Sequence, residues 1–283
     1  MWVRTRAVVA SGVVLVVLAA LGIWIAIRQM GGQLRLPLST RTCTVQADGR
    51  VVLDADQMAN AATIAAIGIQ RKMPDQAVVV ALATAYQESG LRNLAGGDRD
   101  SVGLFQQRPS QGWGTPEQIR DPRYAARKFY TALKKVRGWE QMRVTDAAQK
   151  VQRSAFPEAY EKWADESEVL TRALVGHATG AVACTVGRDP VMRGEAAASA
   201  LTRGLALDWG LAGVADLTGL TVPAADERRG WRYAHWLVSH AQDHGVKRVR
   251  FGDLEWTARD GTWNRTDDAP AAGRVVAEVF AEA

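Results

Sequence analysis

The sequence has no low-complexity tract and no internal repeat, so nothing in it points to a disordered or fibrous chain. It lacks a glycine-rich nucleotide loop, a Gly-x-Ser-x-Gly elbow and a cysteine–histidine dyad, which sets aside the reaction classes those motifs announce. Histidine is scarce, with four residues. His240 and His244 have the one-turn spacing used for zinc, but Ala241 stands where a zincin carries glutamate, so the pair reads as a feature of a helix surface. No metal and no cofactor are expected. Acidic charge is in slight deficit, 30 Asp and Glu against 35 Lys and Arg, giving a net charge of +5. The basic runs "LKKVRG" and "VKRVRFG" are too short and isolated for a nucleic-acid stripe, so no nucleic-acid partner is expected. Such a surface suits anionic envelope polymers or headgroups better.

What is present starts with length: 283 residues, 47% of them apolar, allow one large or two modest domains. "AVVASGVVLVVLAALGIWIAI", Ala7 to Ile27, runs without a charge for about the length of a bilayer-spanning helix. Residues 1–30 therefore read as an N-terminal membrane anchor. Arg4 and Arg6 before it orient the N-terminus inward, with Arg28 and Arg35 on the far side opposing. This predicts a single-pass protein of the cell membrane with its C-terminal part outside, in the cell-wall space. A cleaved signal peptide, giving a secreted protein, is the competing reading. Cys43 and Cys184, the only cysteines, would then meet an oxidising compartment and are expected to pair. The closed loop of about 140 residues is worth up to about 5 kcal/mol on the chain-entropy model.

Residues 31–53 read as a linker with a short hairpin around "ADGR". Asp54 or Asp56 caps a first helix, and "PDQAVVVALATAYQESG" gives a second, with Pro74 at its start and Gly90 past its end. Val78 to Tyr86 is apolar on every side, which puts this helix inside the domain. Further helices are expected at about 116–119, 122–136, 144–153 and 157–174, making 54–176 mainly helical. The glycine-rich stretch 177–194 reads as a linker to a small α+β unit, 195–283. The expected fold class is thus a mainly α domain behind a transmembrane helix, followed by a small α+β C-terminal domain.

Glu88 closes the apolar helix. Burial and the partial negative charge of a helix C-terminus both disfavour its ionised form, which predicts a carboxyl suited to protonating a leaving sugar oxygen. "ESGLRN", then "GLFQQ", then "YAARKFYTAL" resemble the lysozyme-like domain of lytic transglycosylases and goose-type lysozymes, in order and approximate spacing, over Asp54 to Leu174. The resemblance implies a lysozyme-like fold and activity on the bond between N-acetylmuramic acid and N-acetylglucosamine in peptidoglycan strands. It makes Glu88 the general acid/base and Ser89 its orienting neighbour. Gly103, Leu104, Phe105 and Gln106 become a cleft wall, with Phe105 where methionine is common. Tyr124 or Tyr130 stands for a cleft tyrosine.

The second carboxylate decides the reaction. A lysozyme-type hydrolase needs a base or nucleophile beside the acid, whereas in a lytic transglycosylase the muramyl 6-hydroxyl attacks and one glutamate serves twice. "GDRDSVGLFQ" resembles a goose-type stretch and makes Asp98 a candidate base, although aspartates in glycine-rich loops are commonly turn formers, Asp100 more so. "QQRPSQGWG" departs from both families at Arg108, where goose-type enzymes can carry another acid, and this favours transglycosylation. Arg108 can meet a peptide-stem carboxylate, and Trp113 is either a sugar platform or a packed loop anchor. The C-terminal pattern "WRYAHWLVSHAQDHGVKRVRFGDLEWTARDGTW" looks like the small domain appended to some actinobacterial cell-wall proteins, distantly similar to metal-dependent peptidases. The tail "AAGRVVAEVFAEA" lacks their histidines, which implies a binding or accessory role. The alternative to an enzyme is a non-catalytic, glycan-binding scaffold of the cell wall.

Overall fold

Alternating apolar positions in "TCTVQADGRVVLD" build the first hairpin. The computed structural model describes residues 41–187, 190–211, 214–216 and 219–282, without the side chains of 214–216. In it β1 (Thr42–Gln46) and β2 (Arg50–Asp54) pair antiparallel, with Cys43, Val45, Val51 and Leu53 turned into the core. Asp54 ends β2 and starts α1 (Ala55–Gln70). Its carboxylate accepts from the Gln57 backbone N–H at 2.9 Å, and the Gln57 side chain accepts from the Asp54 N–H at 3.0 Å.

Helix α2 (Asp75–Ser89) carries the site. Every residue from Ala77 to Tyr86 is buried, so the helix is enclosed on all sides rather than along one stripe. It packs against α1, α4 (Pro122–Leu133), α5 (Val144–Gln152) and α6 (Ala164–Leu174); the single turn α3 (Pro116–Ile119) precedes α4. At its end Gly90 takes the left-handed conformation, φ 62°. Side chains of α1 satisfy the carbonyls just beyond: Gln57 donates to Gly90 at 2.8 Å and Asn60 to Leu91 at 2.9 Å. The residues flanking Glu88 are thereby tied to a neighbouring helix.

Part of the stretch 177–194 expected as a linker is built into a sheet. Within it β3 (Val182–Cys184) pairs antiparallel with β1, placing Cys184 opposite Cys43, and the two form a disulfide with S–S 2.05 Å. The glycines nearby serve close approach. A side chain at Gly176, φ 81°, would stand 2.1 Å from the Arg228 carbonyl. Beyond come α7 (Gly194–Trp209), β4 (Val214–Asp216), β5 (Gly219–Pro223), α8 (Glu227–Ser239), α9 (Ala241–His244), β6 (Val246–Phe251), β7 (Leu254–Thr257), β8 (Trp263–Arg265) and β9 (Arg274–Val279). The last six strands form an antiparallel sheet in the order β4-β5-β9-β6-β7-β8.

The expected fold class needs correction in two respects. Helices α7 and α8 pack on α1, and α8 also on α6 and β3. One apolar core runs from Cys43 to Val279 within a single unit, Arg41–Ala283. The architecture is therefore a mixed α+β unit with two sheets, not a mainly α domain trailed by a small α+β one. The second correction concerns the membrane. No helix among the described residues is long and apolar enough to cross one, and Ala7 to Ile27, which prompted the expectation, lies outside the described residues. The single-pass topology, the membrane as a partner and the cell-membrane location therefore have no helix among the described residues to rest on.

A buried ionic node joins the two halves. Asp208, at the end of α7, is fully buried; it accepts a short hydrogen bond from Arg123 of α4 and one from the Trp236 indole of α8 at 2.8 Å, with Thr63 of α1 at 3.4 Å. Burial pushes the Asp208 carboxyl up, opposed by Arg123, Trp236 and Thr63. Removing one partner leaves the other's charge and the indole N–H uncompensated. Asp208→Ala is expected to lower unfolding free energy by about 2–3 kcal/mol, the lower end reflecting Arg123's residual access to water. Urea unfolding with an unchanged midpoint would refute this.

Candidate active site

Glu88 sits one residue from the end of α2, half-buried, with Tyr86 below it in the core. The Tyr160 hydroxyl donates to its Oε1 at 2.7 Å. Tyr160 is buried, and burial together with the Glu88 carboxylate holds its phenol well above the usual value, so it remains a donor across the physiological range. Beside this pair the Trp163 indole donates to the Gln87 side chain at 3.1 Å and stacks on Tyr86, with ring centroids 4.8 Å apart and planes 6° apart.

Ser89 ties the helix end to the loop that follows. Its hydroxyl lies 3.0 Å from the Ala85 carbonyl and 2.7 Å from the Leu104 carbonyl. The loop folds back through an isolated bridge between Val102 and Gln107. Gly103 adopts φ 78° where a side chain would stand 2.8 Å from the Ile119 carbonyl. Gln106 holds φ 46°, and its amide donates to the Gly103 carbonyl at 3.0 Å. Gly97 lies against that amide so closely that a Cβ there would fall 1.7 Å from Gln106 Oε1. Leu91 (φ 59°) and Arg99 (φ 56°) share the left-handed conformation. Such non-glycine positions are costly and persist where surrounding structure imposes them, often at functional sites.

The other expected site residues divide. Leu104 and Phe105 turn into the core, Phe105 stacking on Phe129 at 4.8 Å, so their side chains pack the loop from beneath. Tyr130 is fully buried and donates to the Ile64 carbonyl at 3.0 Å; burial alone pushes its phenol far up. Tyr124 is half-buried and donates to the Trp113 carbonyl at 3.1 Å, anchoring the loop on which Trp113 packs partly against the core. Neither tyrosine hydrogen-bonds Glu88. The one that does, Tyr160, falls in a stretch that reads as helix from the sequence but is irregular up to Tyr160, with a short 3-10 turn, Glu161–Trp163, before α6. "AYEKW" just before a helix was the available signal.

Asp98 is 90% exposed, and its carboxylate lies 3.8 Å from Arg99 of its own loop. Its backbone carbonyl accepts from the Ser101 N–H at 3.1 Å, a turn-forming role. Asp100 accepts from the Ser110 N–H at 2.8 Å and from Arg108 at 2.7 Å. These bonds, the backbone one first, hold its carboxyl far below the usual range. The Arg108 charge is thus already engaged by a neighbour. In the C-terminal half His240 and His244 are not a surface pair: they stack at 5.5 Å, with His240 buried against Trp236. Among the described residues no cluster of three or more His, Cys, Asp or Glu is arranged to hold a metal ion. The sequence matches no family model and no curated protein.

Proposed function

We propose that this chain cleaves the glycosidic bond between N-acetylmuramic acid and N-acetylglucosamine in peptidoglycan strands, by lytic transglycosylation rather than hydrolysis. The observation that carries the reading is the Glu88 carboxyl, delivered by a helix buried from Ala77 to Tyr86 and oriented through Oε1 by Tyr160. Oε2 is left to exchange a proton with substrate. In the first step Glu88 gives its proton to the departing glucosamine O4 as the C1–O4 bond breaks. In the second the muramyl 6-hydroxyl forms the C1–O6 bond and its proton returns to Glu88. No second carboxylate is required. The state of the nearby acids supports this, since Asp98 stands in solvent and Asp100 is engaged by Arg108 and Ser110.

Mass analysis of digested purified peptidoglycan tests the reading. Anhydro-muramyl ends, one water lighter than reducing ends, are expected; reducing ends would make the chain a hydrolase, and no soluble product would make it a glycan-binding scaffold. Tyr160→Phe should lower kcat by about 10–100-fold with KM nearly unchanged, because the lost bond orients the acid rather than holding substrate. An unchanged kcat would remove Tyr160 from the site.

A further inference from the structure

A groove of about 960 Å³ lies beside the site, between α4, the turn after it and the end of α5. It joins the Glu88 loop through Gln152, which lines the groove and donates to the Phe105 carbonyl at 2.8 Å. Lys128, Lys135, Arg137, Lys150 and Arg153 line it together with Trp113, and no acidic residue does so. Among the described residues none of these five cations has a carboxylate within ion-pair distance, in contrast to Arg108, Arg123 and Arg143 nearby. Arg153 also holds the left-handed conformation, φ 55°, at the end of α5, a position where glycine or asparagine is the unstrained choice. A long cation is thus kept at a backbone position that disfavours it.

We propose that this groove binds a linear phosphodiester polymer of the alditol-phosphate type. The volume is at the upper end for a ligand pocket, larger than one phosphate needs. Three of the five cations are lysines, point charges that bind phosphate along a flexible polyanion, and the forks of the two arginines match phosphate oxygens as well. Single-stranded nucleic acid, which carries the same charge, is recognised on several stacking aromatics; this groove offers only Trp113. The inference goes beyond the reading of Glu88 and depends on none of its residues.

Equilibrium binding of a synthetic ten-unit glycerol phosphate oligomer, beside oligothymidylate and polyglutamate of equal charge, tests it. The glycerol phosphate oligomer should bind tightest and weaken as salt rises. Lys128→Glu/Lys150→Glu should weaken binding at low salt by about tenfold or more, the neutral Lys128→Gln/Lys150→Gln pair by less, and Lys247→Glu on the distant β6 not at all. Preference for oligothymidylate or polyglutamate, equal binding of all three, or indifference to both double substitutions would overturn it. Wild-type protein that cleaves peptidoglycan but fails to bind the oligomer refutes the groove and spares Glu88; the opposite result does the reverse.

Discussion

Glu88→Gln should abolish release of soluble fragments from peptidoglycan, a loss of about 10³-fold or more, while leaving fold and substrate binding intact. The amide is nearly isosteric and keeps an Oε1 acceptor for the Tyr160 hydroxyl, so the hydrogen bond at 2.7 Å survives. What disappears is a group that can give a proton to O4 and take one from the 6-hydroxyl. General acid–base contributions of about 10²–10⁴ apply to each such transfer, and in the proposed reaction one carboxyl would perform both. Turnover within about tenfold of wild type would remove Glu88 from the reaction. Asp98→Asn supplies the complementary measurement. A carboxylate 90% exposed and paired at 3.8 Å with its own loop is expected to matter by less than about threefold. A loss comparable to that of Glu88→Gln would instead assign Asp98 the role of base and favour hydrolysis.

The parts of this architecture that follow from neighbouring residues are visible in the sequence. Asp54 and Gln57 form the capping box of α1, Pro74 and Gly90 bracket α2, and the apolar run between them reports a helix enclosed on every face. The parts that depend on distant pairing are not. β3 is three residues long, and its partner β1 lies some 140 positions earlier, so nothing local distinguishes it from a loop. The glycines that made the region resemble a linker answer instead to contacts such as the Arg228 carbonyl above Gly176. The same limit applies at the site. Glu88, Ser89 and Gln106 are near in sequence, and their grouping can be read; Tyr160 arrives from 72 residues away, and only packing reveals that it, not Tyr124 or Tyr130, meets the carboxyl. Asp208, matched to Arg123 across 85 positions, has no sequence signature.

The buried histidines make a second large effect, on stability in acid. His235 is fully buried; its Nδ1 lies 2.8 Å from the Ala173 carbonyl and its Nε2 accepts from the Ala181 N–H at 2.9 Å, so a second ring proton would face a donor. Burial lowers its value to about 4, partly opposed by the Ala173 bond. His240 behaves alike, lowered to about 4 by burial and by the Arg123 charge, with the Trp236 carbonyl opposing. Unfolded histidine binds its proton near 6.5, so below that value the unfolded chain takes up more protons than the fold. The stabilisation is whole above pH 6.5 and is lost as pH falls toward 4, at about 2 kcal/mol per histidine between pH 7 and 5. Asp208 and Asp243 act in the opposite sense, since burial raises both and the folded chain takes up their protons first, returning part of the loss. His244, lowered to about 3 by burial and by the His240 and Arg123 charges, acts in the same sense as the other two, so the fold is expected to lose stability from pH 7 to pH 5, by at least about 2 kcal/mol. Urea midpoints at pH 7, 6 and 5 measure it, and His235→Gln, which removes one titrating ring, should flatten the slope even though it destabilises the fold at pH 7. Equal midpoints at all three pH values would mean that these histidines gain protons without opening the core.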